Sequence, residues 1–155
     1  METSTVNSFH ESIGSIEIVT LLDGKKSKFE SIFDGLPIVI DFWHTKCTKC
    51  PAALEKLNDL SEKYGLVKFV SCALSLDDKD FLIIKDLMDV GWDKMTHIYL
   101  DIENKEKIKE ILDFKAVPFC IVFSSEGNLI VKNDPKHIDF DTIFSTETFE
   151  ISDDF

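Results

Sequence analysis

The sequence predicts an α/β domain built on a central, mostly parallel or mixed sheet that helices cover on both faces. Three observations predict this fold class. Strand-like apolar runs alternate with segments of helical periodicity as far as Val117, and this alternation is typical of parallel sheets. The apolar runs are nearly continuous, as expected for strands that are buried on both faces. Beyond Val117 two strand-like runs follow each other around a turn, which adds an antiparallel edge.

The first predicted elements form a strand and a short helix. Ser15 to Leu22 is roughly alternating and rich in β-branched residues, which predicts a strand that ends at the Asp23-Gly24 turn. Ser27 and Glu30 have the spacing of a capping box, in which two side chains satisfy backbone N–H groups at the start of a helix. This pair predicts a short helix that continues through Phe33.

The middle of the chain carries the strongest strand signal. Ile38 to Trp43 is apolar throughout except for Asp41. Cys50 to about Tyr64 predicts a helix, because leucines recur there at helical spacing. The next strand is predicted over Val67 to Leu76, and an inserted helix is predicted over about Lys79 to Val90.

The remaining elements lead to the antiparallel edge. His97 to Leu100 predicts a short strand, and Asn104 is placed to cap a helix from Lys105 to Leu112. Phe119 to Phe123 predicts a buried strand, and Leu129 to Lys132 pairs with it as a hairpin.

The length and the chain ends predict a single domain. The chain has 155 residues, which is enough for one hydrophobic core. We expect that core to extend from about residue 16 to residue 144, with a last helix over Asp139 to Ser145. Residues 1–15 and 147–155 are expected to be flexible terminal segments.

The charge balance limits the classes of partner. The formal net charge is −12, from 29 acidic residues against 17 lysines. Such a chain is repelled by nucleic acids and by anionic membrane surfaces, so it favours protein partners with a basic face, or the charge serves solubility alone. The sequence has no secretory signal pattern and no apolar run long enough to span a bilayer. We therefore expect a cytoplasmic protein.

Cys47 and Cys50 form a C-x-x-C pair between the strongest strand and the following helix. Two intervening residues allow the sulfur atoms to close a disulfide in one turn. The start of a helix stabilises a thiolate, so Cys47 is expected to be the exposed nucleophile and Cys50 the resolving thiol. His44 suggests a zinc site, but structural zinc needs four ligands and no second pair has matching spacing. We expect no metal and no other cofactor.

These motifs resemble the thioredoxin family. The run from Asp41 to Pro51 has the pattern Asp-Phe-Trp-x-x-x-Cys-x-x-Cys-Pro, and Ala116-Val117-Pro118 precedes the strand at Phe119. The inserted helix, the Asp23-Gly24 hairpin and the Gly35-Leu36-Pro37 segment are more similar to the TlpA/ResA and nucleoredoxin branch. The resemblance implies a thioredoxin-like fold in which the inserted helix lies between the Val67 to Leu76 strand and the strand after the cis-proline.

The resemblance also implies roles for individual residues. Pro118 is expected to be a cis-proline beside the dithiol, and Trp43, Val117 and Pro118 are expected to bind substrate. Asp41 occupies the position of a buried carboxylate that accepts the proton of Cys50; the alternative is an Asp41 solvated at a strand end.

Two lysines depart from the family pattern. Lys46 stands where a tryptophan is usual, and Lys49 lies inside the C-x-x-C. Two ammonium groups favour the Cys47 thiolate, which predicts a pair more oxidising than that of thioredoxin, unless both lysines are merely solvated surface charges. Cys72 and Cys120 lie inside apolar strands and are expected to be core residues, although Cys120 follows Pro118 closely enough to be a third thiol near the site.

The predicted function is that of a thiol–disulfide oxidoreductase that acts on protein disulfides and is reduced again by a cellular reductant. The alternative is a redox-inactive interaction or scaffold subunit, for example of a cytoskeletal assembly, because thioredoxin-like folds also serve such roles.

Overall fold

Within the described residues, a mixed sheet of seven strands forms the centre of the fold. The computed structural model of the chain describes residues 8–21, 23–74 and 94–144. The strand order across the sheet is β2-β1-β5-β4-β3-β6-β7. The strands are β1 (Glu17–Thr20), β2 (Lys26–Lys28), β3 (Ile38–Trp43), β4 (Lys68–Leu74), β5 (Thr96–Leu100), β6 (Phe119–Phe123) and β7 (Leu129–Asn133).

The centre of the sheet is parallel and its flanks are antiparallel. β4 pairs in parallel with both β3 and β5. β6 runs antiparallel to β3 and to β7, and the β1–β2 hairpin adds an antiparallel flank on the other side. The predicted α/β class and the predicted antiparallel edge are therefore confirmed.

Helical segments cover the sheet in the described part of the chain. They are α1 (Phe9–Ser12), α2 (Cys50–Lys63) and α3 (Ile102–Leu112), with 3-10 turns at Phe29–Ile32 and Pro135–His137. Residues 140–144 are helical, in agreement with the described part of the predicted last helix. The helix predicted over Lys79 to Val90 lies outside the described residues. No helix in the described ranges is long and apolar enough to cross a membrane.

The capping box predicted from Ser27 and Glu30 does not form. Ser27 lies in β2, where it pairs with Ile18 of β1. This pairing holds Ser27 in an extended backbone inside the hairpin, so Lys28 precedes the 3-10 turn and provides no side-chain cap. The Glu30 backbone N–H donates instead to the carbonyl of Gly14 at 2.9 Å.

The start of α3 also differs from the prediction. Asp101, and not Asn104, is the N-cap: its carboxylate accepts a hydrogen bond from the Asn104 backbone N–H at 2.9 Å. The helix therefore begins at Ile102, three residues earlier than the sequence indicates. Both residue types favour this position, and the aspartate simply comes first in the chain.

The segment that we predict to be flexible at the N-terminus contributes to the core from residue 9 onward. Phe9 and Ile13 are fully buried. The Phe9 ring stacks on Phe33 with 5.0 Å between centroids and contacts Phe123 edge-on at 5.4 Å. This apolar packing fixes α1 against the sheet.

The two faces of the sheet have separate cores. Alternate residues of each strand point to opposite faces. The face that we call the aromatic face carries Ile38, Ile40 and Phe42 of β3 and packs against α1 and α3. The opposite face, which we call the α2 face, carries Val39 and Trp43 of β3 and packs against α2.

Candidate active site

The two sulfur atoms meet at the start of α2. Cys50 is the first residue of the helix, and Cys47 lies in the preceding turn. Their Cα atoms are 5.4 Å apart and their sulfurs lie at disulfide distance. The turn is closed by the Cys47 backbone N–H, which donates to the carbonyl of His44 at 3.0 Å. His44 Nδ1 accepts a further hydrogen bond from the Lys46 backbone N–H at 3.1 Å.

The two cysteines differ in exposure. Cys47 is half-buried, whereas Cys50 has no accessible surface. The difference follows from position, because Cys50 lies on the buried side of α2 with Leu54 and Leu57, and Cys47 lies outside the helix. An incoming disulfide can therefore reach Cys47 but not Cys50.

Pro118 lies beside the dithiol. The Val117–Pro118 peptide bond is cis, and the Cys47 sulfur is 3.6 Å from the Val117 carbonyl oxygen. β3 ends just before the dithiol turn and β6 starts just after Pro118, and the two strands are antiparallel neighbours. The sheet thus brings together two motifs that are 70 residues apart in the chain.

Asp41 lies beneath this site on the α2 face. It lies two residues from both Val39 and Trp43 along β3, so its side chain shares their face, which packs against α2. Asp41 has no accessible surface. Neither carboxylate oxygen has a hydrogen-bond partner among the described residues. Burial raises the pKa of the Asp41 carboxyl well above its ordinary value, and the charge of Asp134 raises it further. The alternative of an Asp41 solvated at a strand end is wrong.

Two cavities open next to the dithiol. One of about 530 Å³ is lined by His44, Lys46, Cys47, Thr48, Lys49 and Val117. The second, a groove of about 280 Å³, runs between α2 and the turn after β7 and is bounded by Pro118. The half-buried sulfur of Cys47 therefore faces an open space large enough for a peptide side chain.

Comparison with protein families decides the identity of this fold. A family model described as thioredoxin-like matches residues 35–129, which is more than half of the chain and includes the dithiol and Pro118. The chain belongs to the thioredoxin-like family.

The chain is similar to a curated thioredoxin and to solved structures of oxidoreductases. A thioredoxin of Aspergillus fumigatus is 38% identical over 42 residues, which span 27% of this chain and 39% of that relative. The thioredoxin domain of a thiol-disulfide oxidoreductase from Bacteroides vulgatus superimposes with a TM-score of 0.70 at 16% identity, over 94% of this chain and 99% of that one. A secreted disulfide oxidoreductase of Mycobacterium tuberculosis gives a TM-score of 0.59 at 19% identity, over 74% and 79% of the two chains. The structural similarity at these identities shows a shared fold.

Trp43, which the resemblance implies as a substrate-binding residue, does not line either cavity next to the dithiol. Trp43 is only 3% exposed and packs in the α2-face core. It is the last residue of β3, where strand alternation directs the side chain under α2 and away from the open space around Cys47. Val117 and Pro118, in contrast, each line one of the two cavities.

The two lysines that depart from the family pattern lie at the surface. Lys46 and Lys49 are exposed, and both line the cavity that contains Cys47. Their effect on the redox potential of the dithiol stays a prediction.

A row of buried polar groups crosses the sheet at the level of Asp41. Asp41 pairs with Cys120 of β6 on one side and with Ser71 of β4 on the other. Ser71 in turn pairs with His97 of β5, and its hydroxyl lies 2.6 Å from His97 Nδ1. The sequence analysis missed Ser71 and His97 as partners. The available signal was Ser71 at the middle of an otherwise apolar run in β4, whereas His97 lies near the start of β5 beside other polar residues.

The remaining cysteines are core residues, as predicted. Cys72 and Cys120 have no accessible surface. Burial raises the pKa of both thiols well above the ordinary value, and the nearby carboxylate of Asp41 raises both further. Both therefore stay protonated, which makes them poor nucleophiles. Cys120 lies on the α2 face with Cys50, whereas Cys72 lies on the aromatic face.

Proposed function

We propose that this protein is a thiol–disulfide oxidoreductase that uses Cys47 and Cys50 to reduce disulfide bonds in other proteins. The observation that carries the proposal is the difference in exposure between the two cysteines. Cys47 lines an open cavity together with Val117, whereas Cys50 is fully buried. Such an arrangement lets one thiol attack and reserves the other for the second step.

The first step is the attack on a substrate disulfide. The Cys47 thiolate forms a bond to one substrate sulfur, the substrate disulfide breaks, and the second substrate sulfur leaves as a thiolate that takes a proton from water. The start of α2 and the ammonium groups of Lys46 and Lys49 favour the thiolate form of Cys47. The product is a mixed disulfide between Cys47 and the substrate.

The second step releases the substrate. Cys50 loses its proton and attacks the Cys47 sulfur, so the mixed disulfide breaks, the Cys47–Cys50 disulfide forms, and the first substrate sulfur leaves as a thiolate. Two electrons have then passed from the dithiol to the substrate, and a cellular thiol reductant returns them. The raised pKa of Asp41 brings its proton affinity closer to that of a thiol, so Asp41 is suited to accept the Cys50 proton.

The test compares single cysteine variants in turnover with a protein disulfide and a thiol reductant. Cys47→Ser is expected to lose at least about 10³-fold in turnover, because no other described thiol is accessible. Cys50→Ser is expected to accumulate the mixed disulfide, which is detected as a mass increase that a reductant reverses. Cys72→Ser serves as the matched control, since that thiol lies on the other face of the sheet.

The interaction-module alternative gives the opposite result. In that case Cys47→Ser would retain all binding partners, and the wild-type dithiol would not cycle with any disulfide. Full turnover by Cys47→Ser would contradict the oxidoreductase proposal. The cytoplasmic location stays a prediction of the sequence and forms part of this proposal.

A further inference from the structure

The dithiol of this acidic protein is surrounded by positive charge. Lys46 and Lys49 line the cavity around Cys47, and Lys49, Lys56 and Lys136 line the adjoining groove. We call these four side chains the basic rim. All four residues are exposed. They contrast with the formal net charge of −12 for the whole chain.

The rim lysines have no carboxylate partner in the described parts of the chain. Elsewhere in those parts, lysines form ion pairs, as in Lys63 with Asp141 and Lys68 with Asp34. The Lys56 ammonium donates instead to the carbonyl oxygen of Pro135 at 3.4 Å. Its charge also lies 5.5 Å from the centre of the Phe140 ring and, in addition to the hydrogen bonds that Asp139 and Asp141 accept, lowers the pKa of both carboxyls. The positive charges of Lys46, Lys49 and Lys136 are therefore the ones left for a ligand.

Asp134 is the single carboxylate that lines either of the two cavities. One of its oxygens, Oδ1, already accepts a hydrogen bond from the Lys136 backbone N–H at 3.0 Å. Among the residues that line the two cavities, four lysines therefore stand against one carboxylate. The sign of this balance is opposite to that of the molecule as a whole.

The groove has the shape to receive a segment of polypeptide. Its floor is apolar, formed by Ala52, Ala53, Pro118 and Pro135, and its volume is about 280 Å³. It begins at Pro118, next to the Val117 carbonyl that lies 3.6 Å from the Cys47 sulfur. A residue that neighbours a substrate cysteine bound at Cys47 would therefore reach the lysines of the rim.

We propose that the dithiol selects protein disulfides flanked by acidic side chains, with the acidic segment of the substrate lying along the basic rim. This inference rests on the proposed oxidoreductase function. Charges beyond about 10 Å are largely screened at moderate ionic strength, so the lysines of the rim decide recognition at the dithiol and the distant acidic residues do not. The expectation of basic partners, drawn from net charge alone, applies to the remaining surface.

The test uses three synthetic peptides that differ only in charge. Each is a homodimer joined by one disulfide, with a fluorophore pair that separates on reduction, and with glutamate, glutamine or lysine on both sides of the cysteine. The reduced protein is mixed with each peptide in a single turnover. At about 0.1 M salt the glutamate peptide is expected to react about tenfold faster than the glutamine peptide, and the lysine peptide slower still. At about 1 M salt the three rates are expected to converge.

A pair of double variants separates local from overall charge. Lys49→Gln with Lys136→Gln is expected to reduce the glutamate preference to about threefold or less. The control, Lys26→Gln with Lys28→Gln, removes the same charge from β2 at the opposite edge of the sheet and is expected to keep the preference. Using the ratio of two peptides cancels any change in the reactivity of Cys47 itself.

The outcomes distinguish this inference from the function on which it rests. If the glutamine peptide is not reduced by the wild-type protein, the oxidoreductase proposal fails, and this inference fails with it. If the glutamine peptide is reduced but the glutamate peptide has no advantage, only the acidic specificity is overturned. Equal effects of the two double variants would also overturn it, because overall charge would then explain the preference.

Discussion

The two faces of the central sheet differ in what they contribute: one provides apolar packing, and the other carries the buried polar groups and the dithiol. On the aromatic face, the buried side chains are hydrophobic, including the interlocked rings of Phe9, Phe29 and Phe123. On the α2 face lie all four buried polar or charged side chains of the described residues, namely Asp41, Asn58, Ser71 and His97. The dithiol rests on this second face through Cys50.

The difference shows what a reactive dithiol requires of its surroundings. Burying a polar side chain without full hydrogen bonding destabilises the folded state, and Asp41 is such a group. The aromatic face offsets this loss with apolar area that contributes only packing. Substitutions on the aromatic face should therefore change stability and leave chemistry intact, and substitutions on the α2 face should change both.

The largest expected effect lies on the aromatic face. Phe123→Ala removes a fully buried ring that contacts Phe9, and we expect it to lower the free energy of unfolding by about 3–5 kcal/mol. The measurement is a urea unfolding curve. Phe123→Leu is the control and is expected to cost less than about 1.5 kcal/mol.

The same variant also tests whether the aromatic face affects the chemistry of the dithiol. The molecules of Phe123→Ala that remain folded should reduce a disulfide at the wild-type rate. A drop in rate per folded molecule would show that the aromatic face also sets the dithiol geometry.

The next effect is a pH dependence of the free energy of unfolding that originates at Asp41. The folded state raises its pKa above the unfolded value of about 3.9, so between these two values the folded state holds the extra proton. Stability from this group is therefore present at low pH and is lost as pH rises through the folded pKa, at up to about 1.4 kcal/mol per pH unit.

Asp41→Asn isolates this dependence, because an amide of the same shape does not titrate. We expect the variant and the wild type to have similar stability near pH 4 and the variant to be more stable at pH 8. The comparison is made on the disulfide form, in which Cys47 and Cys50 do not ionise. Parallel stability curves from pH 4 to pH 8 would show that Asp41 is not the group responsible.

The smallest effect is expected at the polar row. Ser71→Ala removes the hydroxyl that lies 2.6 Å from His97 Nδ1 inside the sheet, and we expect a loss of about 1 kcal/mol in unfolding free energy. Ser31→Ala is the control: that hydroxyl donates a hydrogen bond of 2.6 Å to the carbonyl of Lys28, at an exposed position. Equal losses in the two variants would remove the distinction between buried and exposed hydroxyls.

The strands that frame the site could be predicted from the sequence. The predicted bounds of β3 and β6 coincide with those in the structure, Ile38–Trp43 and Phe119–Phe123. Both are continuous apolar runs bounded by clear turn or motif residues, so local pattern suffices to define them. The C-x-x-C motif follows the end of β3, and the Val117-Pro118 pair precedes the start of β6. These are the two strand ends that lie side by side at the site.

Other features depend on contacts between distant parts of the chain. Ser27 has a valid local capping pattern, but pairing with β1 overrides it. The partnership of Ser71 with His97 depends on the register of two strands, which no local pattern specifies. The burial of Trp43 depends on how α2 covers the end of β3. In each case tertiary contact, and not propensity, decides the outcome.

The hairpin strand β2 has a consequence for behaviour at high concentration. It forms one edge of the described sheet, is three residues long, and two of those residues are lysines. A strand from a second molecule that added to this edge would place its backbone against two ammonium groups along a very short ladder. Short, lysine-bearing edges of this kind oppose strand addition. This edge of the sheet is thus protected against growth into ordered aggregates.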